Sequence, residues 1–134
     1  MVAIKEASGN LEQICEVIDG APEGFLVISG DDSLALPIMK AGGVGVISVA
    51  ANAFPRYFAN LIGTQEGGGE ENDAMFEQIR PTIKMLFAEG NPSGVKAALA
   101  IKGVVGNYLR LPLVPVSDEL YTMLNGAMNE GGFE

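Results

Sequence analysis

Short, wholly apolar runs alternate with longer amphipathic stretches over the first half of the chain. Val2 to Ile4, Phe25-Leu26-Val27-Ile28 and Val44 to Val49 have the pattern of strands buried on both faces. Between the first two runs, Asn10 followed by Gln13 reads as the cap of a helix whose stripe is Leu11, Ile14, Val17 and Ile18. Gly20, Pro22 and Gly24 stop that helix. Ser29-Gly30-Asp31-Asp32 turns into a second helix through Leu34, Leu36, Ile38 and Met39, which ends at Gly42-Gly43. Asn52 with Pro55 opens a third. The order βαβαβα, with each crossover made by a short helix, predicts parallel strands joined by right-handed connections.

From Gly67-Gly68-Gly69 onward the pattern is helical only. Met75, Phe76, Ile79, Ile83, Leu86 and Phe87 form one stripe, with Pro81 expected to kink it. Asn91-Pro92-Ser93 reads as the start of a helix running to about Lys102. Leu109 to Pro115 is extended, Ser117 caps the last helix, and Gly131-Gly132-Phe133-Glu134 reads as a frayed tail. The expected division is a β/α region over 1–66 and a helical region over 67–134, without a linker long enough to separate independent domains.

Composition narrows the possible functions. At 134 residues and 48% apolar content the chain can bury a core, and one domain is expected. A net charge of −9 argues against a nucleic-acid surface, which needs clustered Lys and Arg. The absence of histidine excludes a His-based triad or a His-ligated metal. Cys15 is the only cysteine and lies among Leu11, Ile14 and Ile18, so it reads as a core thiol, and the lack of an internal disulfide fits a cytoplasmic protein. No apolar run approaches the roughly 18 residues of a membrane span, and none follows a cationic leader, so neither a membrane segment nor a signal peptide is expected.

Three strand ends are then expected on one rim: Lys5, Gly30-Asp31-Asp32, and Ser48 to Asn52. Lys5 has two readings, a solvated or salt-bridged side chain and a Schiff-base nucleophile. The second needs a partly neutral amine, which burial favours by penalising the ammonium. Asp31 and Asp32 read as helix caps rather than an acid/base pair. Gly42-Gly43-Val44-Gly45 lies between helix and strand, so it reads as a C-cap and not a phosphate loop.

The segments VAIKEASGNL (2–11), LVISGDDSLALPIMKAGGVGVISVAAN (26–52), LFAEGNPSGVKAAL (86–99) and LRLPLVPVS (109–117) together resemble the C-terminal half of the dihydrodipicolinate synthase family. These are the pyruvate-dependent aldolases that include N-acetylneuraminate lyase. IKEASGN and LRLPLVP are similar to the synthase branch rather than to the sialic-acid-cleaving one. The resemblance implies an α/β fold: the C-terminal part of a (β/α)8 TIM barrel, comprising three parallel β/α units and a helical C-terminal appendage. It is weakest over Leu61 to Asn72.

By position, Lys5 resembles the lysine that forms an imine with pyruvate, Gly30 the glycine that leaves room beside it, and Ile47 the residue whose backbone lines the pyruvate pocket. The implied reaction condenses pyruvate with aspartate semialdehyde in lysine and diaminopimelate biosynthesis, with no metal or other cofactor. The family's other half supplies a tyrosine proton relay, threonines for the pyruvate carboxylate and an arginine for the second substrate. Tyr57, Tyr108 and Tyr121 match none of these positions and read as core or interface residues. Three strands cannot close a barrel that takes about 250 residues. The expected partners are therefore a complementary N-terminal half or further copies of the chain, with no nucleic acid and no membrane. Two alternatives are a non-catalytic fragment acting as an assembly module and a related aldolase using another aldehyde.

Overall fold

The computed structural model describes residues 1–63 and 69–133. The predicted boundary between residues 66 and 67, and Glu134 of the predicted frayed tail, lie outside the described residues. The chain forms two compact units: Met1–Ser48 with Ala59–Phe76, and Val49–Phe58 with Glu77–Glu134. Six α-helices and a small parallel sheet occur among the described residues. None of these helices is long and apolar enough to cross a membrane.

The first unit opens with β1 (Ala3–Glu6), α1 (Leu11–Gly20), β2 (Leu26–Ser29) and α2 (Ala35–Lys40). β1 and β2 are parallel, with Ala3 level with Leu26 and Lys5 level with Ile28. The third apolar run does not form a full strand. It contributes one parallel bridge, Val46 to Ser29, carried by the Ser29 N–H donating to Gly45 O (2.8 Å) and the Ile47 N–H donating to Ser29 O (2.8 Å). The Val44 N–H also donates to Val27 O (2.9 Å). Glycines at 42, 43 and 45 leave little strand propensity before Val46, which accounts for the shortened pairing.

Side chains alternate across a sheet, so Val27 and Ser29 share one face while Leu26 and Ile28 share the other. The Val27 and Ser29 face is buried, with α2 packed on β2 and α1 packed on α2. Ile14, Ala35 and Ile38 are fully buried. Leu36, Leu61 and Phe76 form a further cluster joined by Ile62 and Met75, from the ends of α3 (Pro55–Gly63) and α4 (Glu70–Ala88) within this unit. Asn72 Nδ2 donates to Leu61 O (2.9 Å), and Lys40 pairs with Asp73. The opposite sheet face leaves Leu26 and Ile47 at 42% and 52% exposure, so the expected burial on both faces holds for one face only.

In the second unit, α5 (Ser93–Ile101) meets the 3-10 turn Ala50–Asn52 and α6 (Asp118–Gly131). A Cβ on Gly94 would stand 2.0 Å from Leu86 O, so only glycine permits this approach of backbones. Asn91-Pro92-Ser93 opens α5 without a side-chain cap; Ser93 Oγ instead donates to Val114 O (2.7 Å). Pro81 lies inside α4, which continues on both sides of it. The predicted frayed tail is docked as far as Phe133, which is buried with its ring edge-on to Phe54 and Tyr57 at 5.5 and 5.0 Å. An aromatic ring at the penultimate position outweighs the freedom of two glycines.

Ser117 caps α6, its Oγ accepting from the Leu120 N–H (3.2 Å). The Glu89 carboxylate accepts from the Ser117 hydroxyl (2.5 Å) and N–H (2.8 Å), and these bonds hold its carboxyl below the usual range. A lowered folded pKa gives a contribution that is whole above the unfolded value of 4.5 and is lost as pH falls through the folded pKa. Glu89→Gln should therefore lower stability at pH 7 and lose its effect in acid; a urea-unfolding difference that stays constant from pH 7 to pH 3 contradicts this origin.

The exposed sheet face generates a second expectation. A sheet edge and an apolar face open to water favour self-association. Sedimentation velocity should show mass rising above the monomer with concentration, accompanied by ANS fluorescence. A compact monomer at every concentration that leaves the dye dark argues against the face being available.

Candidate active site at the strand ends

Each strand end is turned by its own polar side chains. After β1, the Glu6 carboxylate accepts from the Ser8 N–H (3.0 and 3.2 Å) and the Ser8 hydroxyl (3.1 Å), and the Asn10 N–H donates to Ser8 Oγ (3.2 Å). Gly9, at φ +75°, takes the left-handed step in that turn. Asn10 Oδ1 then accepts from the Glu12 and Gln13 N–H groups at 3.1 and 3.3 Å, capping α1 as its position predicts. After β2, the Asp31 N–H donates to Ser29 Oγ (3.2 Å), which itself donates to Asp31 O (2.9 Å). Asp31 Oδ1 accepts from the Ser33 and Leu34 N–H groups at 2.7 and 3.2 Å, so it is a cap. Asp32 is buried at the start of the short 3-10 helix Asp32–Leu34.

These turns bring two of the predicted site residues into contact and the third alongside. The Gly30 N–H donates to Glu6 O (2.6 Å), tying the two strand ends together. A Cβ on Gly30 would lie 2.8 Å from Lys5 Cε, 2.6 Å from Ala7 Cβ and 3.0 Å from Glu6 O. The glycine is thus the space through which the Lys5 stem passes. Lys5 is level with Ile28, two positions before Gly30, so both lie on the uncovered face of the sheet. Val46 is level with Ser29, which places Ile47 beside Gly30 on that same face.

Lys5 is exposed, in contrast to the buried strand end expected from the sequence, because the helices cover only the opposite face. It makes no hydrogen bond or ion pair among the described residues, while Glu6 beside it is held by Ser8. The arrangement is therefore a lone amine at a strand end with room beside its stem and an apolar neighbour across the sheet. In its neutral form an amine so placed has the chemistry of a nucleophile toward a carbonyl. No cluster of three or more carboxylates or thiols suited to a metal occurs among the described residues.

Ala7, Ser8 and Ser29 were not singled out by the sequence reading as site residues. Their signal is a run of small and polar residues directly after each apolar strand, which sets the close packing around Gly30. The three tyrosines all lie in the second unit. Tyr57 donates its hydroxyl to Gln78 Oε1 (3.2 Å), and burial raises the pKa of its phenol. Tyr108 is 83% exposed and so is not a core residue.

The sequence matches the Dihydrodipicolinate synthetase family over residues 1–130. The chain belongs to that family. Among curated relatives, it is 46% identical over 129 residues to the 4-hydroxy-tetrahydrodipicolinate synthase of Azobacteroides pseudotrichonymphae, a match that takes in 96% of this chain and 44% of that protein. Among solved structures, the dihydrodipicolinate synthase of Thermotoga maritima superposes with a TM-score of 0.94 at 38% identity, over 100% of this chain and 47% of that one. The chloride-inhibited dihydrodipicolinate synthase of Acinetobacter baumannii, solved with pyruvate, gives a TM-score of 0.93 at 30% identity over 100% and 46%. These neighbours have the TIM-barrel fold. The chain spans less than half the length of each.

Gly30→Ala should be the most damaging conservative change at the rim. Its methyl group meets the Lys5 stem and Ala7 at less than van der Waals separation, so overpacking of about 1–3 kcal/mol is expected. Urea unfolding measures the loss, and a lysine-resolved NMR spectrum should show the Lys5 side chain displaced. An unchanged spectrum and midpoint contradict the close approach.

Proposed function

We propose that this chain is the C-terminal half of a dihydrodipicolinate synthase, in which Lys5 is the Schiff-base lysine of a pyruvate-dependent lyase. The carrying observation is the passage of the Lys5 stem through the gap at Gly30, beside Ile47, on the sheet face that the helices leave open. In this reading residues 1–66 are the last three β/α units of the barrel and residues 67–134 its final helices and helical appendage. The order of the resembling segments and the change from β/α alternation to helices alone support it.

The neutral Lys5 amine attacks the ketone carbon of pyruvate, and loss of water leaves a protonated imine. Its positive nitrogen draws electrons from the adjacent methyl carbon, which gives up a proton to form an enamine. That carbon bonds to the aldehyde carbon of aspartate semialdehyde, whose oxygen takes up a proton; cyclisation through the substrate's amine then releases the lysine. Gly30 and Ile47 shape the pyruvate side of the pocket. Proton transfer and carboxylate binding fall to the complementary N-terminal half, which also covers the open sheet face, or to further copies of the chain. Removing general acid/base help alone costs about 10²- to 10⁴-fold. A second reading, a non-catalytic assembly module, draws on the exposure of Leu26 and Ile47.

Borohydride with pyruvate should trap an adduct on Lys5 that mass spectrometry locates and that Lys5→Ala abolishes. Turnover with aspartate semialdehyde should be negligible for the chain alone and restored by adding five β/α units from a related synthase. An adduct equally abundant in the Lys5→Ala chain removes the nucleophile assignment. Rescue by a relative's C-terminal half in place of its first five units removes the assignment of the half.

A further inference from the structure

The second unit carries a groove that the lyase reading does not use. It measures about 460 Å³ and is lined by Pro92, Lys96, Tyr108, Leu109, Arg110 and Leu113. Two of its six lining residues are cations and none is acidic, in a chain with 17 acidic residues against 8 basic ones. Neither Lys96 nor Arg110 makes an ion pair or a side-chain hydrogen bond among the described residues. Lys96 is half-buried, one turn into α5, its N–H donating to Pro92 O (3.0 Å).

The turn from Arg110 to Leu113, closed by the Leu113 N–H donating to Arg110 O (3.0 Å), holds the guanidinium stem and an apolar side chain together. Tyr108 lies with its ring edge against Gly106, where a Cβ would stand 2.5 Å from the ring, and the rest of that ring is open to water. Pro92, at the start of α5, supplies no side-chain cap, so the positive end of the helix dipole adds to the same field.

Two cations without a carboxylate partner, set over leucines and an exposed aromatic ring, select for a ligand with two properties. It must be negatively charged, because the guanidinium and ammonium have no internal partner, and it must have an apolar body to cover Leu109, Leu113 and Tyr108. We propose that this groove binds a small organic dicarboxylate, with Arg110 and Lys96 holding the carboxylates and the tyrosine and leucines covering its carbon skeleton. This site is separate from the strand-end lysine and stands whether or not Lys5 forms an imine.

Phthalate provides an aromatic dicarboxylate probe, phthalamide its neutral counterpart and inorganic phosphate an anion with no apolar body. Each is titrated into the full chain and followed by amide NMR shifts over residues 92–96 and 106–113. Phthalate should give saturable shifts confined to these segments and weakened by added salt. Phthalamide should give none, and phosphate should bind about tenfold or more weakly. Lys96→Gln and Arg110→Gln, each keeping most of its stem, should each weaken phthalate about fivefold or more. Absence of saturable shifts overturns the site; so does equal binding of phthalamide, and so does full affinity in the double variant. Phosphate binding as tightly as phthalate overturns the assignment of an organic ligand. The ligand comparison needs no variant, so it decides the matter even where a substitution lowers stability.

Discussion

A parallel sheet needs cover on both faces, and here the helices supply one. Crossover helices bury the Val27 and Ser29 face, while Leu26, Ile28, Ile47 and Lys5 remain on the other. Most of the first unit follows from this asymmetry. The alternation of the strands sends Lys5 to the open face, and the covered face supplies the packing that holds its strand there. The strand ends are drawn together by the Gly30 N–H on Glu6 O, so the position of Lys5 depends on a backbone contact rather than on its own side-chain partners. Gly30 matters for the same reason: the contact that ties the strands leaves no volume for a side chain beside the lysine stem.

With Lys5 as the proposed nucleophile, the open face would couple assembly to chemistry. A lysine becomes a useful nucleophile when its surroundings disfavour the ammonium, and desolvation is the common means. Whatever covers Leu26 and Ile47 also removes water from around Lys5, because all three share one surface. Burial of the two apolar side chains, worth about 25 cal/mol per Å², then offsets part of the cost of desolvating the amine. Under the proposed reading the site and the interface are one structure. The chain spans less than half the length of these relatives.

The sequence made local features legible and left the distant ones obscure. Asn10, Asp31 and Ser117 were readable as caps because a cap is decided within four residues by a side-chain oxygen and the next free N–H groups. Gly42-Gly43 was readable as a C-cap for a similar reason: Gly42 has φ +111°, and the Gly43 N–H donates to Ile38 O (2.9 Å). The apolar run Val44 to Val49 promised a full strand, yet hydropathy does not count hydrogen bonds, and only one bridge forms there. Continuous apolar runs likewise cannot say which face is covered, so the exposure of Lys5 was hidden. The docking of Phe133 depends on rings far away in sequence at Phe54 and Tyr57, and no local pattern around two glycines announces it. Lys5 and the Gly30 turn were legible as strand ends on one rim, whereas the roles of Gly30 and Ile47 beside the lysine came from the resemblance, whose motifs encode a three-dimensional neighbourhood that periodicity alone does not.

Net charge illustrates the same limit from the other side. A total of −9 argues correctly against a broad basic surface, but a sum over the chain carries no information about where the few cations stand. Lys40 and Arg80 are matched by Asp73 and Glu77, and Lys102 is satisfied by Ala53 O (2.9 Å) with its ammonium 5.5 Å from the centre of the Phe54 ring. Lys96 and Arg110, like Lys5, Arg56 and Lys84, make no ion pair or side-chain hydrogen bond among the described residues, although carboxylates outnumber cations by about two to one. In a chain so rich in acid, one groove is lined by two cations and by no acidic residue. Screening over about 8–10 Å at ordinary salt weakens the influence of negative charges beyond that range. An acidic protein can therefore present an anion-selective surface, provided the cations are grouped by the fold rather than by the sequence.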